Sequence, residues 1–225
     1  MSPDPSRSPI EPSDPLKRVF DLAVSATLLL VLSPLLVVIA IAVATTSPGG
    51  ALFRQERVGR GGRPFRIVKF RTMTHASGAE KGSFEPGSTA RVTSIGRVLR
   101  AAKLDELPQL WNVLRGEMSL VGPRPEVPRW TQVHRERWAE VLRVRPGITD
   151  PASLEFRDEE RILAAKPDPE AAYRDEVLPR KLDLAVRYVR ERSFAGDLAI
   201  LARTAMAIFR RAAPPDTLVD SGESR

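Results

Sequence analysis

Residues 22–44, LAVSATLLLVLSPLLVVIAIAVA, hold no charged side chain, and a Ser-Pro pair sits at their centre. A straight helix of that length, rising about 1.5 Å per residue, would cross a bilayer. Pro34 opposes a straight helix, because it has no N–H and crowds the carbonyl four residues earlier. A broken helix at membrane depth can turn back where protein groups satisfy the freed carbonyls. The flanks add a second constraint. Lys17 and Arg18 precede the run, and Arg54, Arg57, Arg60 and Arg63 follow it. Positive charge on both sides opposes a single crossing and suits a re-entrant hairpin with both ends on the cytoplasmic face. On these features alone, spanning and re-entrant readings stand level. Ala42-Val43-Ala44 resembles a signal cleavage site, but the apolar region exceeds the roughly 7–15 residues such signals use.

The remainder reads as one domain with short elements. Residues 1–16 carry five prolines and four serines, the composition of a disordered tail. ALFRQERV and FRIVKFRT flank the glycine-rich GRGGRP and predict a β-hairpin over 51–73. Strand alternation puts Ile67, Lys69 and Arg71 on one face. Residues 74–89 predict a polar loop. From Thr93 or Ser94 as cap, Ile95, Val98, Leu99 and Ala102 follow a helical period. A second helix carries Leu107, Leu110, Trp111 and Leu114 and ends near Gly116. SLVGPRPEVP predicts a rigid loop, 129–143 a helix, RPGITDP a stiff turn, and two helices close the chain. In the last, Phe194, Leu198, Leu201, Ala205 and Ile208 share one face, which fits an interfacial membrane helix and a soluble core helix about equally.

Composition narrows the chemistry. Lys and Arg total 35 against 28 acidic residues, and the pI of about 10.3 implies a polyanionic partner. Aromatics are only 6 % and do not interleave with basic residues, which weakens a nucleic-acid reading. There is no cysteine, and His75 and His134 are the only histidines, so thiolate chemistry and Cys/His zinc sites are excluded. No Walker A loop, GxGxxG or G-x-S-x-G occurs. Catalysis is left to carboxylates, cations, hydroxyls and an oxygen-ligated metal.

Asp105 and Glu106 stand side by side amid Arg97, Arg100, Lys103, Arg115 and Arg124. As a helix start, Asp105 would be the N-cap, Glu106 would lie in the first turn, and Pro108 would be tolerated there. Against capping alone stands the density of cations. Lys69, Arg71, Arg97, Arg100, Arg124 and Arg145 could converge, and the last two are stiffened by neighbouring prolines. Several cations around two acids suit phosphoryl transfer, the acids holding Mg²⁺ or attacking phosphorus.

The chain resembles the monotopic phosphoglycosyl transferases of the bacterial sugar transferase family. The matching segments are KRVFDLAVSATLLLVLSPLL, FRQERVGRGGRPFRIVKFRTM, TSIGRVLRAAKLDELPQLWNVLRGEMSLVGPRPE, RPGITDPASLEFRDEE and RSFAGDLAILARTAMAIF, in family order from about Lys17 to Phe209. The resemblance implies an α/β, mostly α, monotopic membrane protein. Its parts would be a re-entrant hairpin over 17–46 broken at Ser33-Pro34, and a catalytic domain over 47–212. That domain would hold a small β-hairpin and interfacial helices, with flexible tails over 1–16 and 213–225.

It also implies transfer of a sugar phosphate from a UDP-sugar to undecaprenyl phosphate, releasing UMP, as the first membrane step of surface glycan synthesis. Asp105 would be the nucleophile and hold Mg²⁺, and Glu106 would handle protons or orient Asp105. Lys69, Arg71, Arg124 and Arg145 match phosphate and nucleotide contacts, with Gln109 near the dyad. Implied partners are inner-membrane lipid and downstream glycosyltransferases, not nucleic acid, with the active site on the cytoplasmic face. The competing class is a membrane-anchored basic scaffold without turnover. Two departures stand out. Relatives often carry Asp three residues before the tyrosine of the penultimate helix, where this chain has Ala185, with Asp183 nearby. Many also carry an N-terminal multi-span domain where this chain has its proline-rich start, so the resemblance is to the minimal catalytic form.

Overall fold

The computed structural model describes residues 14–47, 49–74 and 91–212. Most of the expected tails and of the 74–89 loop lie outside them. Helix α1 (Pro15–Val31) starts two residues before the expected hairpin boundary, with Asp14 as N-cap accepting from the Leu16 and Lys17 amides. Helix α2 (Ser33–Thr46) follows after one residue, and the pair is bent by 64°. Pro34 leaves the Leu30 carbonyl without its usual amide partner, and the Ser33 hydroxyl donates to that same carbonyl at 2.7 Å. The Ser-Pro pair therefore breaks the helix and satisfies the group the break exposes. Among the described residues no single helix is long and apolar enough to cross a membrane. Leu30, Val31, Val37, Val38 and Ile41 are exposed along the pair.

The root of α1 is stapled to the rest of the chain. Lys17 donates to Asp197 at 2.5 Å and to the Val121 carbonyl at 3.0 Å. Arg18 donates to the Val113 and Met118 carbonyls. The buried Asp21 accepts from the Ser119 hydroxyl at 2.7 Å and the Leu120 amide at 3.3 Å. Phe20, Val24 and Leu29 pack with Leu110, Leu120 and Val121 in one apolar cluster. Charges that read as topological flanks are thus also docking groups.

Strands β1 (Leu52–Val58) and β2 (Pro64–Phe70) form the expected antiparallel hairpin. Helix α3 (Ser94–Ala101) is capped by Thr93, whose hydroxyl accepts from the Gly96 amide. Val98, expected on its inner face, is exposed. After helix α4 (Gln109–Leu114) come two three-residue strands that the sequence pattern did not reveal. These are β3 (Ser119–Val121) and β4 (Gly147–Thr149), paired in parallel. The expected 129–143 helix is divided into α5 (Pro128–Thr131) and α6 (Arg135–Val141), with His134 left-handed between them. Three further short helices, α7 (Pro151–Glu155), α8 (Glu159–Ala164) and α9 (Pro169–Ala172), were not anticipated.

The chain closes with α10 (Leu178–Glu191) and α11 (Phe194–Ala212). Trp130, Trp138, Tyr173, Leu178 and Leu182 centre the main core. Ala185 is buried in that same core, and Asp183 pairs with Arg137 at 3.0 Å. The carboxylate that meets Tyr188 is Asp197, at 2.8 Å. On α11, Asp197, Ile200, Leu201 and Thr204 face inward, while Leu198 and Ile208 of the apolar stripe are exposed. The helix therefore packs one face through Ile200 and Leu201 and leaves part of the apolar stripe outside.

Candidate active site

Asp105 and Glu106 lie in a 3₁₀ turn, Leu104–Glu106, entered through Lys103 in the left-handed conformation. The N-cap expectation for Asp105 fails. Helix α4 starts at Gln109 with Pro108 before it and no side-chain cap bond. The turn packs against β2 and α3. What joins β2 to α4 is Asn112, which accepts from the Val68 amide at 3.0 Å and donates to the Arg66 carbonyl at 2.8 Å. Lys69, one residue past Val68, is thereby held beside the dyad.

The second cation arrives on Gly122-Pro123-Arg124-Pro125. That loop leans on β4 itself through bonds from the Gly147 amide to the Pro123 carbonyl and the Gly122 amide to the Thr149 carbonyl. The two glycines permit this approach, since a Cβ on Gly147 would sit 2.1 Å from the Gly122 nitrogen. Asp150 accepts from the Arg124 amide at 3.3 Å and also caps α7. At the loop's far end, the buried Glu126 accepts from Arg57, from its neighbour's amide at Val127 and from the Tyr173 hydroxyl. Burial and the Glu126 charge raise the Tyr173 phenol well above its ordinary pKa, so it stays a donor.

These supports produce an asymmetric pair of acids. Arg124 grips Glu106 with both terminal nitrogens, at 2.5 and 3.1 Å, and Lys69 joins at 3.1 Å. Burial pushes the Glu106 carboxyl up, but Arg124 and Lys69 together outweigh it and hold it well below the ordinary range. Lys69 is itself pushed down to about 8, by burial first and by Arg124. Asp105 is as buried as Glu106, yet its Oδ1 has no hydrogen-bond partner among the described residues. Burial raises its carboxyl, Lys69 opposes that, and Glu106 adds to it. Both amide atoms of the fully buried Gln109 also lack partners.

Two expected cations are engaged elsewhere. Arg71 holds the Gly49, Gly50 and Leu52 carbonyls, tying the end of β2 to the start of β1. Arg145 donates to the Gly116 carbonyl and lines a separate cavity with Arg18. The supporting residues Asn112, Glu126, Asp150 and Tyr173 were not anticipated. A buried asparagine inside an otherwise apolar helix was the one local signal available for Asn112.

A bent apolar helix pair is thus fastened to a mostly helical unit that holds two buried acids, one of them gripped by a cation fork. The chain belongs to the bacterial sugar transferase family, whose pattern matches residues 12–211. It is 40 % identical over 192 residues to UDP-glucose:undecaprenyl-phosphate glucose-1-phosphate transferase of Caulobacter vibrioides, covering 84 % of this chain and 67 % of that one. It is 41 % identical over 206 residues to undecaprenyl-phosphate glucose phosphotransferase of Komagataeibacter xylinus, covering 88 % and 37 %. Over 137 residues it is 42 % identical to UDP-N-acetylgalactosamine-undecaprenyl-phosphate N-acetylgalactosaminephosphotransferase of Aeromonas hydrophila, covering 60 % and 32 %. The chain thus spans about a third of the length of the last two.

Proposed function

We propose that the chain transfers a sugar 1-phosphate from a UDP-sugar to undecaprenyl phosphate, giving undecaprenyl-diphosphate-sugar and UMP in surface glycan synthesis. The relatives' names support the reaction class. They differ in the sugar, glucose in two and N-acetylgalactosamine in one. The observation that carries the mechanism is the unequal treatment of two adjacent acids. Environments that push two titratable groups apart assign them different roles. Glu106, held anionic by Arg124 and Lys69, is the weaker base and anchors those cations beside the reacting phosphate. Asp105, raised and unpartnered at Oδ1, is the more basic oxygen and is the nucleophile.

In the first step an Asp105 oxygen attacks the phosphorus that bears the sugar, and the bond from that phosphorus to the UMP oxygen breaks. UMP leaves with the bonding pair. In the second step a phosphate oxygen of undecaprenyl phosphate attacks the same phosphorus, the acyl–phosphate bond breaks, and the Asp105 carboxylate is regenerated. Using one pocket twice means the two polyanions need never be bound together. Ping-pong kinetics follow from this order.

The donor set suits Mg²⁺, which needs only one or two carboxylates when substrate phosphates complete its shell. Asp105 would hold it through the carboxylate oxygen that does not attack phosphorus. Among the described residues no group of three His, Cys, Asp or Glu side chains forms a self-sufficient metal cage. When bound, the ion neutralises phosphate charge.

The bent α1–α2 pair is proposed to dip into the cytoplasmic leaflet of the inner membrane and return. Its exposed aliphatic surface and the exposed Leu198, Met206 and Ile208 on α11 support that placement. Tags at residues 5 and 225 should then both report cytoplasm, and an external N-terminus would restore a spanning helix. UMP release from a panel of UDP-sugars, with undecaprenyl phosphate and Mg²⁺, tests the activity. Binding without UMP release across the panel would favour the scaffold class.

A further inference from the structure

At the root of α1 lies a cavity of about 370 Å³ whose lining residues include none of the dyad cluster. Its walls come from the start of α1, the tip of the β1–β2 hairpin, the turn before β4, and the α10–α11 junction. Three acids reach it, and each has work within the fold. Asp14 caps α1, Asp21 holds β3, and Asp197 accepts from Lys17 and Tyr188. Four guanidiniums and Lys17 also reach it, and of these Arg18, Arg60 and Arg145 make no ion pair with a carboxylate among the described residues. Arg18 donates only to carbonyls, and Arg145 uses its Nε on the Gly116 carbonyl. Among the described residues Arg60 makes no side-chain hydrogen bond.

Arg60 is nonetheless held at this mouth by backbone. Gly61 and Gly62 take positive φ at the hairpin tip, and the Gly61 amide donates to the Leu142 carbonyl at 2.7 Å. Burial lowers Arg60 and Arg145, and each is lowered further by a neighbouring guanidinium, Arg60 by Arg145 and Arg145 by Arg18. Asp21 offsets part of the charge on Arg18 and Arg145, but five cations face three acids around the cavity, so it keeps net positive charge complementary to a multivalent anion.

We propose that this cavity binds a phosphate ester, with Arg60 and Arg145 as its principal ligands. The cavity exceeds a bare phosphate, and Pro15, Val144 and Phe194 add apolar wall for the group that bears it. The same chemistry is offered by soluble phosphates and by phospholipid headgroups at the foot of the hairpin. The site does not rest on the catalytic reading, so Asp105→Asn leaves its occupancy unchanged.

The test is thermal melting of the full chain in phosphatidylcholine nanodiscs, titrated with inorganic phosphate against chloride of equal ionic strength. A parallel arm, free of added phosphate, replaces part of the lipid with phosphatidylglycerol. Wild type and Arg124→Gln should gain melting temperature in at least one arm. Arg60→Gln should weaken that response about tenfold, and Arg60→Lys should restore part of it. A response confined to the first arm identifies a soluble phosphate, and one confined to the second identifies a headgroup. Without anion, Arg60→Gln should melt no lower than wild type, because it removes a repulsion. Two results would overturn the site: Arg60→Gln responding like wild type in both arms, or melting lower without anion.

Discussion

Two clusters of cations in this chain look alike in sequence and differ in what stands between them. Around the dyad, Lys69 and Arg124 close on Glu106, an anion supplied by the protein. At the hairpin root, five cations that include Arg18, Arg60 and Arg145 face three acids, each of which also holds a bond within the fold. The first cluster is self-neutralised and rigid, which keeps its geometry before any substrate arrives. The second is left with net charge, so its complement must come from outside. Counting basic residues would not separate them. The separation comes from which carboxylate the fold places within hydrogen-bond reach.

Substitutions can break this contrast at either end. The largest effect is expected from Asp105→Asn, which should lower UMP release by about 10³-fold or more while the melting temperature holds or rises. Relief of a buried charge explains the sign of the stability change. Turnover near wild type in that variant would move the nucleophile elsewhere.

Arg124→Gln should cost about 10²-fold in turnover. It should also destabilise by about 3 kcal/mol, because Glu106 would remain buried with Lys69 alone. Adding Glu106→Gln to that variant should recover part of the stability but not the activity, and denaturant titration of wild type, Arg124→Gln and the double variant checks this. A smaller, diagnostic effect lies in the pH profile. Asp105 must be ionised to attack, so the acid limb should sit above the ordinary aspartate range. The alkaline limb should fall near pH 8, as Lys69 loses its proton. Lys69→Arg should push that limb upward, since a guanidinium stays charged. The smallest effect is expected at the other cluster. Arg60→Gln should leave UMP release within about twofold when measured in neutral lipid or detergent.

Much of the architecture is readable from local signals. The Ser33-Pro34 break, the glycine-rich hairpin turn and the Thr93 cap each depend on interactions within four residues or on a turn's own geometry. The parallel pair β3–β4 left no such trace. Each strand is three residues long, too short for a period, and its partner lies beyond α5 and α6. His134 in the left-handed region divided a helix that composition alone would have continued. The capping role expected of Asp105 failed for a related reason: Lys103, also left-handed, placed the acids in a 3₁₀ turn ahead of α4.

The sequence by itself determined the broken apolar hairpin, the residue types available for chemistry and the presence of the Asp105-Glu106 pair. It did so because proline geometry, side-chain ionisation and helix period are properties of neighbouring residues. Only the tertiary structure decided which acid is paired and which is bare. That depends on Arg124 arriving on a loop held by Asp150 and Glu126, and on Lys69 being fastened through Asn112. It also sent Arg71 to backbone carbonyls and Arg145 to a different cavity. Charge pairing acts over a few ångströms between residues far apart in the chain, so its outcome is fixed by packing.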